Sequence, residues 1–320
     1  MRLLTACALA VATTAILTGP SLADSAADNA VTVAGVSRPK AIQEQTRRFT
    51  DAYAAATPQL GQIARWRDPV CVEVEGLLAD LDANVRARVE DVAKAVGRHV
   101  ETGGCRANIE IVFTEKPQLL MDGVARTREN LLGYYHRHDH AKLKAITRPI
   151  QAWYVTSTLG GGGNTNGAVF AYLETSGGVG GLPIQVQREV IDDPSHMSPT
   201  GCGDNPNFTA CLQGVFKNVL VVADANQLKG KDIGLLSDYV VMLALSQSRQ
   251  PDACGELPSV MDLFAASACP GRDPPQGLTP ADAAYLTALY QADPEAKLLG
   301  QKGDISGRMA RMLIADSARR

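Results

Sequence analysis

Apolar positions along the chain fall into two periodicities. Val70-Cys71-Val72-Glu73-Val74 alternates with a β-branched bias and predicts a strand, as does Ile109-Glu110-Ile111-Val112-Phe113. Between them Leu81, Val85, Val89, Val92 and Val96 recur at helical spacing with charges in between, predicting a helix over 80–100 that Gly103-Gly104 ends. Residues 118–145 read as a broken helical stretch. Ile150–Ser157, with Trp153 and Tyr154, reads as a third strand and an edge. Ala168–Leu173 and Ile184–Arg188 are short strand candidates. Residues 192–214, rich in Pro, Gly and Asn, read as a loop, and Val219–Val222 as a buried strand. From Gly230 on, Ile233, Leu236, Val240, Leu243, Ala244 and Gln247 lie on or near one helical face. Thr279, Pro280 and Asp282 open another helix as N-cap, first position and third position, running to Tyr290. A last amphipathic helix covers about 304–317. The order predicts an α+β fold, helices packed on one twisted mixed sheet with a helical C-terminal part, over residues 61–320. Residues 24–60, rich in Ala, Ser, Thr and Gln, read as a flexible segment with one helix around Gln43–Ala56. There are no internal repeats.

The N-terminus changes where this domain is expected to work. Arg2, the apolar run Leu3–Leu17, the break at Gly19-Pro20 and the small residues Ser21 and Ala23 make a secretory signal over 1–23. The run is shorter than the ~20 residues that span a bilayer. Leu4-Thr5-Ala6-Cys7 resembles a lipoprotein box but precedes any apolar core. The expected destination is the periplasm or the exterior, with no membrane span in the mature chain. A formal charge of −3, with Arg2 the only charge in the leader, gives no electrostatic case for nucleic acid. Six cysteines follow the leader, and an even count in an oxidising compartment predicts three disulfides. Proximity in the chain favours Cys71–Cys105, Cys202–Cys211 and Cys254–Cys269. No Cys-x-x-Cys or Cys-x-x-His spacing points to a cysteine–zinc site.

At residues 237–290 the chain resembles the metzincin zinc peptidases, the matrixin-like ones in particular. Their active helix carries His-Glu-x-x-His-x-x-Gly-x-x-His, followed by a Met turn and often a Leu-Thr/Ser-Pro-x-Asp helix. Pro258-Ser259-Val260-Met261 looks like the Met turn, and Leu278-Thr279-Pro280-Ala281-Asp282 through Tyr290 looks like the closing helix. The 65–74 stretch, the 80–100 helix and the 108–113 strand follow the usual opening in order and length. The match fails on the active helix. Ser237 stands at the first His, Asp238 at the Glu, Val241 at the second His, Ala244 at the Gly and Gln247 at the third His. Zinc in such a site needs imidazole nitrogens, and Val241 has no lone pair. Without the metal no bound water is acidified, so Asp238 at the general-base position has nothing to deprotonate. The resemblance therefore implies a zincin-like scaffold without catalytic residues or cofactor, binding a peptide or protein.

Other candidate chemistry is sparse. His136, His138 and His140 lie within five residues, and His136 and His140 would share a helical face at metal-ligand spacing, although Arg137, Lys142 and Lys144 crowd them with positive charge. The bland alternative is a solvated loop between two helices. There is no Gly-x-Ser-x-Gly, Walker loop or dinucleotide fingerprint. Gly160–Gly163 reads as a hairpin tip and Asp192-Asp193 as a solvated turn. Three functions follow: a non-catalytic, exported binding domain, an active hydrolase using another site such as the histidine cluster with Asp238, or, more blandly, an envelope structural protein with no ligand.

Overall fold

The computed structural model describes residues 26–57, 61–133, 140–160, 169–170, 212–265, 269 and 271–319. The chain divides into two units, residues 1–40 and 41–320. The first is helical from Ala26, and the packing below belongs to the second. The leader expected at 1–23, the strand candidate at 184–188, Asp192, Asp193 and the Cys202–Cys211 pair lie outside the described residues.

The fold is α+β around a mixed sheet. Its strands are β1 (Val72–Glu75), β2 (Ile109–Thr114), β3 (Ile150–Gly160), β4 (Val169–Phe170) and β5 (Leu212–Asp224), in the order β1-β2-β5-β3-β4. β1 and β2 pair in parallel, with Val72 opposite Ile109, and β2 and β5 in parallel, with Ile109 opposite Val219. β3 runs antiparallel to β5, Ile150 opposite Ala223, with an irregularity between Val155 and Thr156. Among the described residues, β4 pairs with Thr158 and Leu159 of β3. The helices are α1 (Ala26–Tyr53), α2 (Ala79–Ala95), α3 (Pro117–Thr127), α4 (His140–Leu143), α5 (Ile233–Leu245), α6 (Pro280–Gln291) and α7 (Leu298–Ser317), with 3-10 turns at Glu129–Leu132 and Val260–Phe264.

The period-2 pattern explains the layering, because successive side chains of a strand face opposite sides. Ile109, Ile111 and Phe113 of β2 and Val219, Val221 and Ala223 of β5 enter the main core with residues of α2, α5 and α6. Their neighbours Val112, Leu220 and Val222 face the other way, joining Trp153 and Val155 beneath Met121 and Val124 of α3. Glu110 shares that second face, where both its oxygens accept from Arg128 at 2.6 and 2.7 Å. Helical segments thus cover both faces.

Several boundaries differ from those predicted, and two have a clear physical cause. β5 begins at Leu212, inside the stretch read as loop, because Leu212 to Gly214 pair with the far end of β3. α7 begins at Leu298, upstream of the predicted 304, and Gln301 of its first turns is fully buried, donating to the Pro294 carbonyl (2.9 Å) and accepting from Ile63 N–H (2.7 Å). The segment upstream of residue 61 is also more than a loose leader to the domain. Phe49 and Tyr53 of α1 are buried in the main core, with rings 4.5 Å apart, and Phe49 lies 5.8 Å from the Tyr285 ring. Cys71–Cys105 and Cys254–Cys269 pair as expected, with Cα atoms 6.1 and 5.5 Å apart. No helix among the described residues is long and apolar enough to cross a membrane.

Candidate functional site

α5 carries most of the residues singled out from sequence. Asp232 caps its first turn, accepting from Leu235 N–H at 2.9 Å. From Leu236 to Leu245 every residue is buried, so the helix is embedded rather than laid on the surface. Ser237 turns its hydroxyl back on the helix, donating to the Ile233 carbonyl at 2.7 Å. Asp238 is held at both oxygens: Arg88 Nε of α2 donates to one at 2.5 Å and Leu278 N–H to the other at 2.8 Å. That ties α2, α5 and the entry to α6 together. A Cβ at Gly277 would come within 2.8 Å of Asp238 Oδ2, so glycine is what lets that loop close on the carboxylate. Val241 is fully buried among apolar side chains, as is Met261 in the following turn. Gln247 falls beyond the helix, and its buried side-chain oxygen has no partner.

These side chains do not form a zinc site. Val241 offers no ligand atom, the Ser237 hydroxyl is turned back on its own helix, and no histidine stands on α5. What Ser237 and Asp238 do share is an open groove with Asn84, Arg88, Asp232 and Gln276. Its lining offers amides, a guanidinium and carboxylates, groups that suit hydrogen bonding to a polar chain. Of the histidine cluster, His136, His138 and the side chain of His140 lie outside the described residues; the backbone of His140 opens α4.

A second polar cluster lies around the turn Val260–Phe264. Two capping boxes interlock there, Ser259 with Asp262 and Thr279 with Asp282. Asp282 accepts from Ser259 Oγ at 2.6 Å, Val260 N–H at 2.8 Å, and Thr279 N–H and Oγ1 at 2.9 Å each. One carboxylate thus fastens the Met261 turn to the start of α6. Asp262 accepts from Tyr53 O–H at 2.9 Å and from Ser259 N–H at 3.2 Å, with Arg272 at 3.5 Å. Burial pushes both carboxyls above their ordinary range, against the pull of these donors. Burial first, and the Asp262 charge second, push the Tyr53 hydroxyl up, so it stays a donor. The Cys254–Cys269 disulfide lies beside Asp262.

Sequence reasoning found the cap of Thr279 and Asp282, but took Ser259 only as part of the Met-turn likeness and passed over Asp262. The signal was present, since Ser259-Val260-Met261-Asp262 has the Ser-x-x-acid spacing of a capping box. Tyr53 and Arg88 had no such signal, because their partners lie 209 and 150 residues away. Comparison of the chain with protein-family models, with curated proteins and with solved structures finds no match.

Proposed function

We propose that this chain is an exported, non-catalytic, zincin-like domain that has lost its zinc ligands and binds an extended peptide or protein segment along the edge of its sheet. The carrying observation is on α5: at the ligand positions Val241 is packing and Ser237 is bonded to its own helix, while Asp238 at the base position is a clamp. The clasp of Asp282 on the turn bearing Met261 supports the same reading. The disulfides fit an oxidising compartment.

The edge supplies the binding mode. Among the described residues, no strand pairs with the outer side of Ile150–Ser157. Asp224 N–H donates to the Pro149 carbonyl at 2.8 Å. Antiparallel pairs alternate between bonded and non-bonded. The backbone groups of Ala152 and Tyr154 therefore point away from β5, towards an added strand. The side chain of Gln250 already occupies the Ile150 carbonyl, at 2.7 Å, and marks one end of the open stretch.

Two measurements test this. Metal analysis of protein purified without reductant should find no tightly held zinc, and proteolysis assays should be silent with and without chelator. One zinc per chain with chelator-sensitive cleavage overturns the non-catalytic reading. For the edge, amide exchange with a bound library peptide should protect Ala152 and Tyr154 while Gln151 and Trp153 stay unchanged. Protection elsewhere only removes the edge as the binding surface.

A further inference from the structure

Cys254, Cys269 and Asp262 bring two sulfurs and a carboxylate oxygen within 4.8 Å of one another. The Ala265 carbonyl oxygen lies 3.7 Å from Cys254 Sγ and 3.5 Å from Cys269 Sγ. Two sulfurs therefore lie near two oxygen donors, the Asp262 carboxylate and the Ala265 carbonyl. With Zn–S of ~2.3 Å and Zn–O of ~2.1 Å, the sulfur–oxygen edge of a tetrahedral zinc site is about 3.6 Å. The two carbonyl–sulfur separations bracket that value, and reduction must let the two bonded sulfurs part to the ~3.8 Å that a tetrahedral zinc requires between them.

The elements around these atoms hold them in place. Asp262 is the third residue of a capped turn, its carboxylate aimed by Tyr53 O–H and Ser259 N–H. Such outer partners are what orient a metal ligand. Ala265 closes the same turn. Both cysteines are partly accessible, so a small reductant can reach the disulfide. Charge also balances: two thiolates and one carboxylate around a divalent cation leave a net charge of −1. Arg272 stands beside it, donating to the Gly255 carbonyl at 2.8 Å and lying 3.5 Å from Asp262.

We propose that Cys254, Cys269, Asp262 and the Ala265 carbonyl form a site for a thiophilic divalent cation, of the zinc class, that the disulfide masks and reduction opens. A dithiol supplies the opening step. It transfers two electrons and two protons to the Cys254–Cys269 bond, giving two thiols, and becomes a disulfide itself. The cation then displaces the two thiol protons and binds both thiolates. This site is separate from α5, and it is silent in the oxidised protein on which the zinc analysis above is made.

The experiment uses the full chain, oxidised and after reduction by a phosphine that does not compete for metal, titrated with Co²⁺ and Zn²⁺. The expected result is one Co²⁺ per reduced chain, with thiolate-to-metal charge transfer and the strong d–d bands of a tetrahedral site, and neither in the oxidised chain. Cys254→Ser with Cys269→Ser should abolish the bands, though the other cysteines remain. Asp262→Asn, which removes a charged ligand, should weaken Co²⁺ binding by at least the roughly ten-fold that loss of an outer-shell partner alone costs. Because reduction loosens the fold, thermal melting provides the second readout. Zn²⁺ should raise the melting temperature of the reduced wild type and leave the double serine variant unmoved. Bands that persist in the double variant overturn the proposal. So does a reduced wild type that shows neither bands nor a thermal shift.

Discussion

Asp282 is the residue on which the C-terminal part turns. It is fully buried and accepts from Ser259, Val260 and Thr279, so its removal strands donors on two segments at once. A lost N-cap partner costs about 1 kcal/mol, and each buried donor left unpaired about 1–3 kcal/mol. Asp282→Ala should therefore lower the unfolding free energy in urea by about 3 kcal/mol or more. A loss below ~1 kcal/mol would mean that water replaces the carboxylate. Gly76 shows a different constraint. Its φ is +102°, and a Cβ there would lie 1.9 Å from the Phe113 carbonyl oxygen, where the end of β1 passes close to β2. The backbone alone costs a side chain about 1–3 kcal/mol in such a region, and the overlap adds to it. Gly76→Ala should destabilise by at least about 2 kcal/mol in the same assay, whereas Gly97→Ala, at a φ of +78° with open space around it, should pay only the backbone part.

At the scale of elements, α1 shows where composition misleads. Its Ala, Ser, Thr and Gln content reads as a flexible segment carrying one helix around Gln43–Ala56, yet on that helix Thr46, Phe49, Thr50 and Tyr53 are all buried. The helix is kept by one stripe of residues at i, i+3, i+4 and i+7 rather than by its average character. Phe49→Ala should cost about 3–5 kcal/mol, as for a buried aromatic, and should show as a drop in denaturation midpoint with unchanged slope. A near-neutral result would mean that α1 docks too weakly to belong to the core. α5 makes the opposite point. It is apolar nearly all round, as a helix must be when buried between a sheet and other helices. That burial explains why the positions resembling ligands are occupied by packing residues and clamps.

For the molecule as a whole, the buried carboxyls set a pH dependence of unusual sign. Burial raises Asp282 above its ordinary value of 3.8, so the folded state binds that proton more tightly than the unfolded state. Stability from this group is then greatest below the ordinary carboxylate value and falls as pH rises towards the folded value. Asp262 acts in the same direction, while Glu44, held at about 2 by Arg47 and Arg48, acts in the other but is half-exposed and screened. The stability difference between wild type and Asp282→Asn should thus move against the wild type as pH rises from 3.8 through the window. A difference that is flat with pH would show that the donors around Asp282 cancel its burial.

The sequence by itself determined the elements whose information is local. Alternation marked β1 and β2, helical spacing marked α2 and α5, Thr279-Pro280-Ala281-Asp282 marked the start of α6, and proximity paired Cys71 with Cys105 and Cys254 with Cys269. Only the tertiary structure decided what depends on distant partners. It extended β5 back to Leu212 through pairing with β3, buried Phe49 and Tyr53, and made Asp238 a clamp by bringing Arg88 and Leu278 to its two oxygens. Periodicity reports which face of an element is dry, because that depends on a residue's own neighbours in the chain. Which group meets a carboxylate depends on how elements far apart in sequence pack, and no local spacing encodes that.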